Sequence, residues 1–259
     1  MKQEDYWAIA ERDLDIQSPI TDRKMRQLDD YCVLRDGLNV LDIGCGKGWM
    51  LRTWADKYDI RGTGIDFNPH FIRTAEGAAA RKHLTQKLSF INADLNDFKP
   101  EPSSFDVILC LGTSYAFGGM VQALEWMHRA CRPGGSIAIG ERTLKHKPSF
   151  PIGVQLPHEP VDAIALIERH GFEVSATISA SDADFERYVS HHRQSTLAWA
   201  REHPDHPDHT EVLKKSRETW LNYLKVIRPY FGWTIFVGRR DDVVSARPRS
   251  DRRAARTPG

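Results

Sequence analysis

The chain has 259 residues, 41% hydrophobic and 27% charged, which is enough apolar content for one substantial core and an accessory subdomain. A formal net charge of +1 provides no global field to steer nucleic acid or a membrane surface toward it. Cys32, Cys45, Cys110 and Cys131 show no Cys-x-x-Cys spacing, and neither a secretory leader pattern nor an apolar run of membrane-spanning length occurs; together these predict reduced thiols and a cytoplasmic protein.

Taken in order, residues 4–12 read as a short amphipathic helix carrying Tyr6, Trp7 and Ile9. After Ser18-Pro19 a second helix is predicted over 21–31, with Met25 and Leu28 on one face. Strands are predicted at 39–43, 62–66, 88–92, 106–111 and 136–140, alternating with helices. The first of these helices carries Met50, Leu51, Trp54 and Tyr58. The second opens on the cap-and-N1 pair Asn68-Pro69, and the third carries Val121, Leu124, Met127 and Cys131. Apolar strands alternating with amphipathic helices imply a parallel sheet covered on both faces. A polar loop then leads to a helix at 161–170, a strand at 172–178, a long helical stretch over 182–228 and a last strand at 232–238. From about residue 243 the chain is rich in Arg, Ser and Pro and reads as a disordered basic tail.

The most informative stretch is Val40-Leu41-Asp42-Ile43-Gly44-Cys45-Gly46-Lys47-Gly48. An apolar strand enters a tight turn with glycine at alternate positions, where the backbone takes positive φ and a ligand can approach without meeting a Cβ. Trp49 stands where a dinucleotide-binding turn needs its third glycine. Lys47 reads as a solvated helix-start residue, because the Lys-Ser/Thr spacing of a phosphate loop is absent.

Four landmarks in order resemble the class I S-adenosylmethionine (SAM)-dependent methyltransferase family. They are Leu41 to Gly48, then Gly64-Ile65-Asp66, then Asn92-Ala93-Asp94-Leu95, then Phe105-Asp106-Val107-Ile108 followed by Arg132-Pro133-Gly134-Gly135. The resemblance covers about residues 35–145. Gly112-Thr113-Ser114-Tyr115 to Gly119, Ile139-Gly140-Glu141 and Phe231-Gly232-Trp233 are similar to a bacterial subgroup acting on small molecules. The fold this implies is α/β: a Rossmann-like, doubly wound, seven-stranded, mostly parallel sheet with a helical lid inserted before the last strand. The division is then a helical cap at 1–34, a SAM-binding core at 35–180, a lid at 181–230, a core strand at 231–240 and the tail at 243–259.

By the same resemblance Gly44, Gly46 and Gly48 lie under the ribose and methionine portion of SAM, and Asp42 favours the tail ammonium. Asp66, with Phe67 beside it, reaches the ribose hydroxyls. Asp94 accepts from the adenine amino group, with the Leu95 backbone near the ring, and Leu111 and Gly112 offer backbone oxygen to the ammonium. Any one strand-end Asp can equally be a turn-former or cap, and Asn92 and Asn96 are alternatives to Asp94. Methyl transfer mainly needs the acceptor positioned and water excluded. Tyr115 and Glu141 are the catalytic candidates, and Tyr6, Phe117, Arg142 and His146 the substrate-pocket candidates. Simple packing is the competing role for the aromatics, and an ion pair for Glu141.

Between the last two strands lie roughly fifty residues, where connections of a few residues are the norm. Tyr188, Leu197, Trp199, Trp220, Tyr223 and Leu224 give that insert an apolar side. It is expected to close over the acceptor with the helix bearing Tyr6 and Trp7; a homodimer interface is the alternative use of the same aromatics. His191-His192 read as surface or lid residues. The run from His203 to His209 reads as a solvated loop rather than a metal site, because its prolines preclude one continuous helix. The predicted function is methyl transfer from SAM to a small-molecule acceptor, with no metal, nucleic acid or membrane involved. A non-catalytic SAM or nucleotide sensor is the alternative, and an NAD-dependent oxidoreductase a weaker one.

Overall fold

The structure, a computed structural model, describes residues 1–149 and 156–241. Its strands are Asn39–Ile43 (β1), Arg61–Asp66 (β2), Leu88–Asn92 (β3), Phe105–Leu111 (β4), Cys131–Leu144 (β5), Phe172–Ser179 (β6) and Phe231–Arg240 (β7). They form one seven-stranded sheet in the order β3-β2-β1-β4-β5-β7-β6. The ladders among β1 to β5 are parallel, and β7 runs antiparallel to both of its neighbours. This is the doubly wound, mostly parallel architecture expected. The helices are Gln3–Ala10 (α1), Asp22–Met25 (α2), Leu28–Tyr31 (α3), Trp49–Lys57 (α4), Pro69–Arg81 (α5), Met120–Ala130 (α6), Pro160–Arg169 (α7), Asp182–Glu202 (α8), His209–Asn222 (α9) and Arg228–Tyr230 (α10). A π-helical turn over Tyr223–Ile227 precedes α10.

Alternation along β1 divides the core. Val40 joins Met25, Leu28, Met50, Leu51 and Trp54 on one face of the sheet. Leu41 and Ile43 join Leu124, Met127, Leu166 and Ile167 on the other. A third apolar cluster holds α1, α8 and α9 together through Tyr6, Ala10, Trp199, Ala200 and Val212. α8 opens on a full capping box, in which Asp184 N donates to Ser181 Oγ and Ser181 N to Asp184 Oδ2. Asn68 caps α5 by accepting from His70 N at 3.0 Å, as its position before Pro69 predicted.

Two elements differ from expectation. The helix predicted over 21–31 is broken at Arg26–Gln27 into α2 and α3. The second piece sinks Leu28 into the core and brings Asp29 to Trp54 Nε1 at 2.6 Å and Lys57 Nζ at 2.9 Å. β5 runs four residues past its predicted end at 140, because Glu141 to Leu144 pair with Thr234 to Phe231 of β7 after β4 has stopped. Glu141 and Arg142 are therefore held on a strand and not in a loop. The tail predicted from residue 243 lies outside the described residues.

Trp54 is fully buried, and Asp29 is the partner of its indole N–H. Asp29→Ala leaves that donor unpaired and is expected to cost about 1–3 kcal/mol of stability in urea denaturation, with Asp29→Asn costing less.

Candidate active site

β1 pairs with β2 on one side and β4 on the other. The connections leave it in opposite directions, so a crevice opens beyond the carboxyl ends of these strands, the usual ligand site of an open α/β sheet. A cavity of about 710 Å³ lies there, within the range of small-molecule sites. Its lower wall comes from Gly44, Gly46, Asp66, Phe67, Leu111, Gly112, Ser114 and Tyr115; Glu141, Arg142 and Trp233 flank it. Trp7, Glu11, Phe185, Tyr188, His192 and Tyr223, from α1, α8 and the π-helical turn, roof it. A smaller recess of about 50 Å³ adjoins the glycine turn and is lined by Asp15, Gln17, Asp42, Gly44, Gly46 and Leu111 among others.

The turn is shaped by what it lacks. Gly44 (φ 69°) and Gly46 (φ 54°) take left-handed backbone. A Cβ at Gly44 would overlap the Thr113 side chain, and one at Gly46 the Gln17 amide. Asp66, at the end of β2, accepts Gly46 N (2.9 Å) on one carboxylate oxygen and Asn68 N (2.8 Å) on the other. Each oxygen retains further acceptor capacity. Burial raises its pKa against those two bonds. Asp42 is pushed up to about 7, first by burial and then by the charge of Asp66. Glu141 is pushed up to about 6 by burial, opposed by the Ser114 hydroxyl and by Arg142.

Among the described residues, seven buried side-chain polar atoms lack a hydrogen-bond partner. Four of them, Ser18 Oγ, Glu141 Oε1, His192 Nε2 and Tyr223 Oη, belong to residues lining the large cavity. Orphaned polar atoms are costly in a closed core and useful in a binding site. Their concentration here, with a side-chain-free turn and two buried acids at strand ends, fits a polar adenosyl ligand carrying an ammonium group.

The structure sorts the candidates read from sequence. Gly44, Gly46, Asp66, Phe67, Leu111, Gly112, Tyr115, Glu141 and Arg142 line the large cavity, and Asp42 the recess. Gly48 does not: its missing Cβ makes room for Phe90 of β3, a packing requirement. Asp94 and Leu95 follow β3 outside the cavity lining; exposed Asp94 accepts from Asn96 N and Nδ2, and Leu95 is buried in the core. Tyr6 packs with Trp199 and Val212, and its helix presents Trp7 to the cavity instead. Phe117 turns away to pack on Trp126, ring centroids 5.4 Å apart. His146 is exposed and outside the lining. The His203–His209 segment joins α8 to α9, with Trp199 against the His203 and His206 rings, and no metal-binding cluster occurs among the described residues.

One expectation is overturned. Lys47 is not solvated: it is 8% exposed, and its Nζ donates to Glu11 O (2.7 Å), Arg12 O (2.9 Å) and Leu14 O (2.7 Å). Burial lowers its pKa against the charges of Glu11, Asp15 and Asp13. Of the two places read for His192, surface or lid, the structure gives the second: it is 8% exposed and lines the cavity from α8. Glu11, Gln17 and Ser18 were not singled out at all. They reach the site only because Lys47 and the glycine turn hold the 11–17 segment in place: Lys47 N donates to Gln17 Oε1 at 2.6 Å.

Sheet order, switch-point cavity and glycine turn together define a candidate small-molecule site at the strand ends. Residues 40–135 match the family described as methyltransferase domain. The fold superposes with a TM-score of 0.84 on a SAM-dependent methyltransferase from Geobacter sulfurreducens in complex with S-adenosylhomocysteine, at 27% identity over 91% of this chain and 98% of that one. The chain is also 27% identical to YjhP of Escherichia coli over 89% of its own length and 96% of that protein. It is 27% identical to the 27-O-demethylrifamycin SV methyltransferase of Amycolatopsis mediterranei over 68% of this chain and 60% of the relative. Residues 40–135 thus match a methyltransferase domain, and the chain as a whole is similar to SAM-dependent methyltransferases.

Lys47→Met retains the stem of the side chain but removes the three bonds to the 11–14 backbone. It is expected to lower stability by about 1–3 kcal/mol and to speed limited proteolysis within residues 11–18, read by mass spectrometry, ahead of cleavage in α4.

Proposed function

We propose that this protein transfers the methyl group of SAM to a small-molecule acceptor held between the strand ends and the roof helices. The observation that carries the reading is the convergence of bare Gly44 and Gly46, buried Asp42 and hydrogen-bonded Asp66 on one switch-point cavity. When bound, SAM supplies an already activated methyl on a sulfonium. The chain's own work is binding, orientation and exclusion of water. Asp42 and the backbone oxygens of Leu111 and Gly112 take the tail ammonium in the recess beside the turn. Asp66 uses its remaining acceptor capacity for the ribose hydroxyls, with Phe67 at the cavity wall. Asp94 and Leu95, just past β3, are left for the adenine edge.

Tyr115, 67% exposed to the cavity mouth, and Glu141, with one unpartnered oxygen, orient the acceptor; Arg142 offers it a cation. The roof built from α1, α8 and the π-helical turn acts as the lid. A small acceptor agrees with the cavity volume and with relatives such as the rifamycin-modifying enzyme. Trp199 and Tyr223 are buried within this chain, so they do not form the open face a dimer would need.

Release of S-adenosylhomocysteine on incubation with SAM and a panel of small acceptors tests the activity. Binding without turnover on any acceptor would favour a SAM sensor, and tight binding of a nicotinamide nucleotide instead would favour an oxidoreductase. Asp66→Ala is expected to weaken S-adenosylhomocysteine binding by about 1–3 kcal/mol in calorimetry. Asp42 supplies a pH signature. Its pKa is raised to about 7, and the ligand's ammonium requires it ionised, so binding must expel a proton at lower pH. Affinity is expected to hold above pH 7 and to fall toward tenfold per unit below it, with the slope abolished in Asp42→Asn.

A further inference from the structure

The polar cluster in the roof is not among the residues assigned above to the donor. Glu11, just past the end of α1, is 6% exposed, and His192 of α8 is 8% exposed. Tyr188 Oη donates to Glu11 Oε1 at 2.6 Å, and Gln17 Nε2 donates to Glu11 Oε2. His192 Nε2 lies 3.2 Å from Glu11 Oε1, close enough for charge pairing but not aligned as a hydrogen bond, and it has no other partner. Glu11, Tyr188 and His192 line the same cavity as Ser114, Tyr115 and Glu141. Glu11 lines the cavity from the roof and Asp66 and Tyr115 line it from the lower wall.

A buried carboxylate is costly unless it has work that offsets its desolvation. Burial pushes Glu11 up, but His192, Tyr188 and Gln17 outweigh that and hold it below the usual range. It therefore serves as a fixed anion and a poor proton acceptor. The His192 ring stands between that anion and the cavity, where it can take a proton from a bound ligand with Glu11 behind it.

We propose that His192, backed by Glu11, takes the proton of the acceptor, and hence that the acceptor presents a protonated nitrogen or oxygen: an amine, an alcohol or a phenol. The acceptor nitrogen or oxygen bonds to the methyl carbon, and the carbon–sulfur bond breaks with its electron pair going to sulfur. The N–H or O–H proton passes to the His192 ring, whose positive charge pairs with Glu11. Glu141, on the flanking wall, holds the acceptor by a hydrogen bond. This assignment rests on the methyltransferase reading.

The test uses the full chain with SAM and a panel of simple amines, alcohols and phenols, with a thiol and a carboxylic acid as controls. On any N–H or O–H acceptor that turns over, His192→Asn is expected to lower kcat by about 100-fold or more. Its affinity for S-adenosylhomocysteine should stay within about threefold of wild type, with imidazole in the buffer restoring part of the rate to His192→Ala. Glu11→Gln should lower kcat with little change in KM. A second readout needs no turnover. 4-Nitrophenol added to the complex at saturating S-adenosylhomocysteine, in a buffer about one unit below the probe's own pKa, should show more of its yellow anion with wild type than with His192→Asn. Turnover confined to the thiol or carboxylate controls would leave methyl transfer standing and overturn the His192 assignment, as would an unchanged kcat in His192→Asn or no more anion with wild type than with that variant. Failure of S-adenosylhomocysteine to bind at all would instead strike at the methyltransferase reading.

Discussion

One ammonium group organises the site. Lys47 sits in the glycine turn after β1, and its Nζ is spent entirely on main-chain carbonyls of residues 11, 12 and 14. A buried cation is tolerated only where its three donors are all met, and here they are met by backbone that has no regular structure of its own. The turn therefore fixes the path of the N-terminal segment. Gln17 continues the chain of contacts, accepting from Lys47 N and donating to Glu11. Glu11 in turn anchors Tyr188. Floor and roof are joined by polar contacts between residues far apart in sequence, 177 residues in the case of Glu11 and Tyr188.

That arrangement makes the two halves of the cavity mechanically dependent. The lower wall is rigid, because it consists of strand ends and tight turns within the main core. The roof has a separate small apolar cluster, Tyr6, Ala10, Trp199, Ala200 and Val212, and reaches the rest of the molecule largely through charge and hydrogen bonds. Arg12 to Glu202 (2.6 and 2.9 Å), Asn68 Nδ2 to Glu4 O (3.0 Å) and Lys24 to Asp184 (2.6 Å) are further ties of this kind. A layer attached by polar contacts opens at lower cost than one attached by buried apolar surface. The site can thus admit ligands without disturbing the sheet.

Sequence reading reached the parts of this design that are local. β1, β3 and the Asn68 cap fall where pattern and turn chemistry put them, since period and capping are properties of a few adjacent residues. The glycine turn, Asp42, Asp66 and the strand-four exit were legible for the same reason. What failed depended on distant partners. Nothing near Lys47 announces that carbonyls more than thirty residues earlier will bury it. His192 and Glu11 each look like ordinary polar residues on a helix or near its end, and only the packing of α8 on α1 brings them together. Tyr6 and Trp7 are adjacent on one helix, and which of them faces the ligand is decided by where α9 lies. β5 outran its prediction because β7, about ninety residues later, continues to pair with it past Gly140.

The place of β7 in the sheet has a consequence for how the molecule is made. It lies between β5 and β6 and pairs with both, yet it is synthesised after α8 and α9. Until β7 emerges, β5 keeps one edge unpaired and β6 has no strand partner at all. Pairing β7 with β5, about ninety residues earlier in the chain, is a late, non-local step of the sort that slows folding. A chain truncated before residue 231 would lack the one strand that joins β6 to the rest of the sheet.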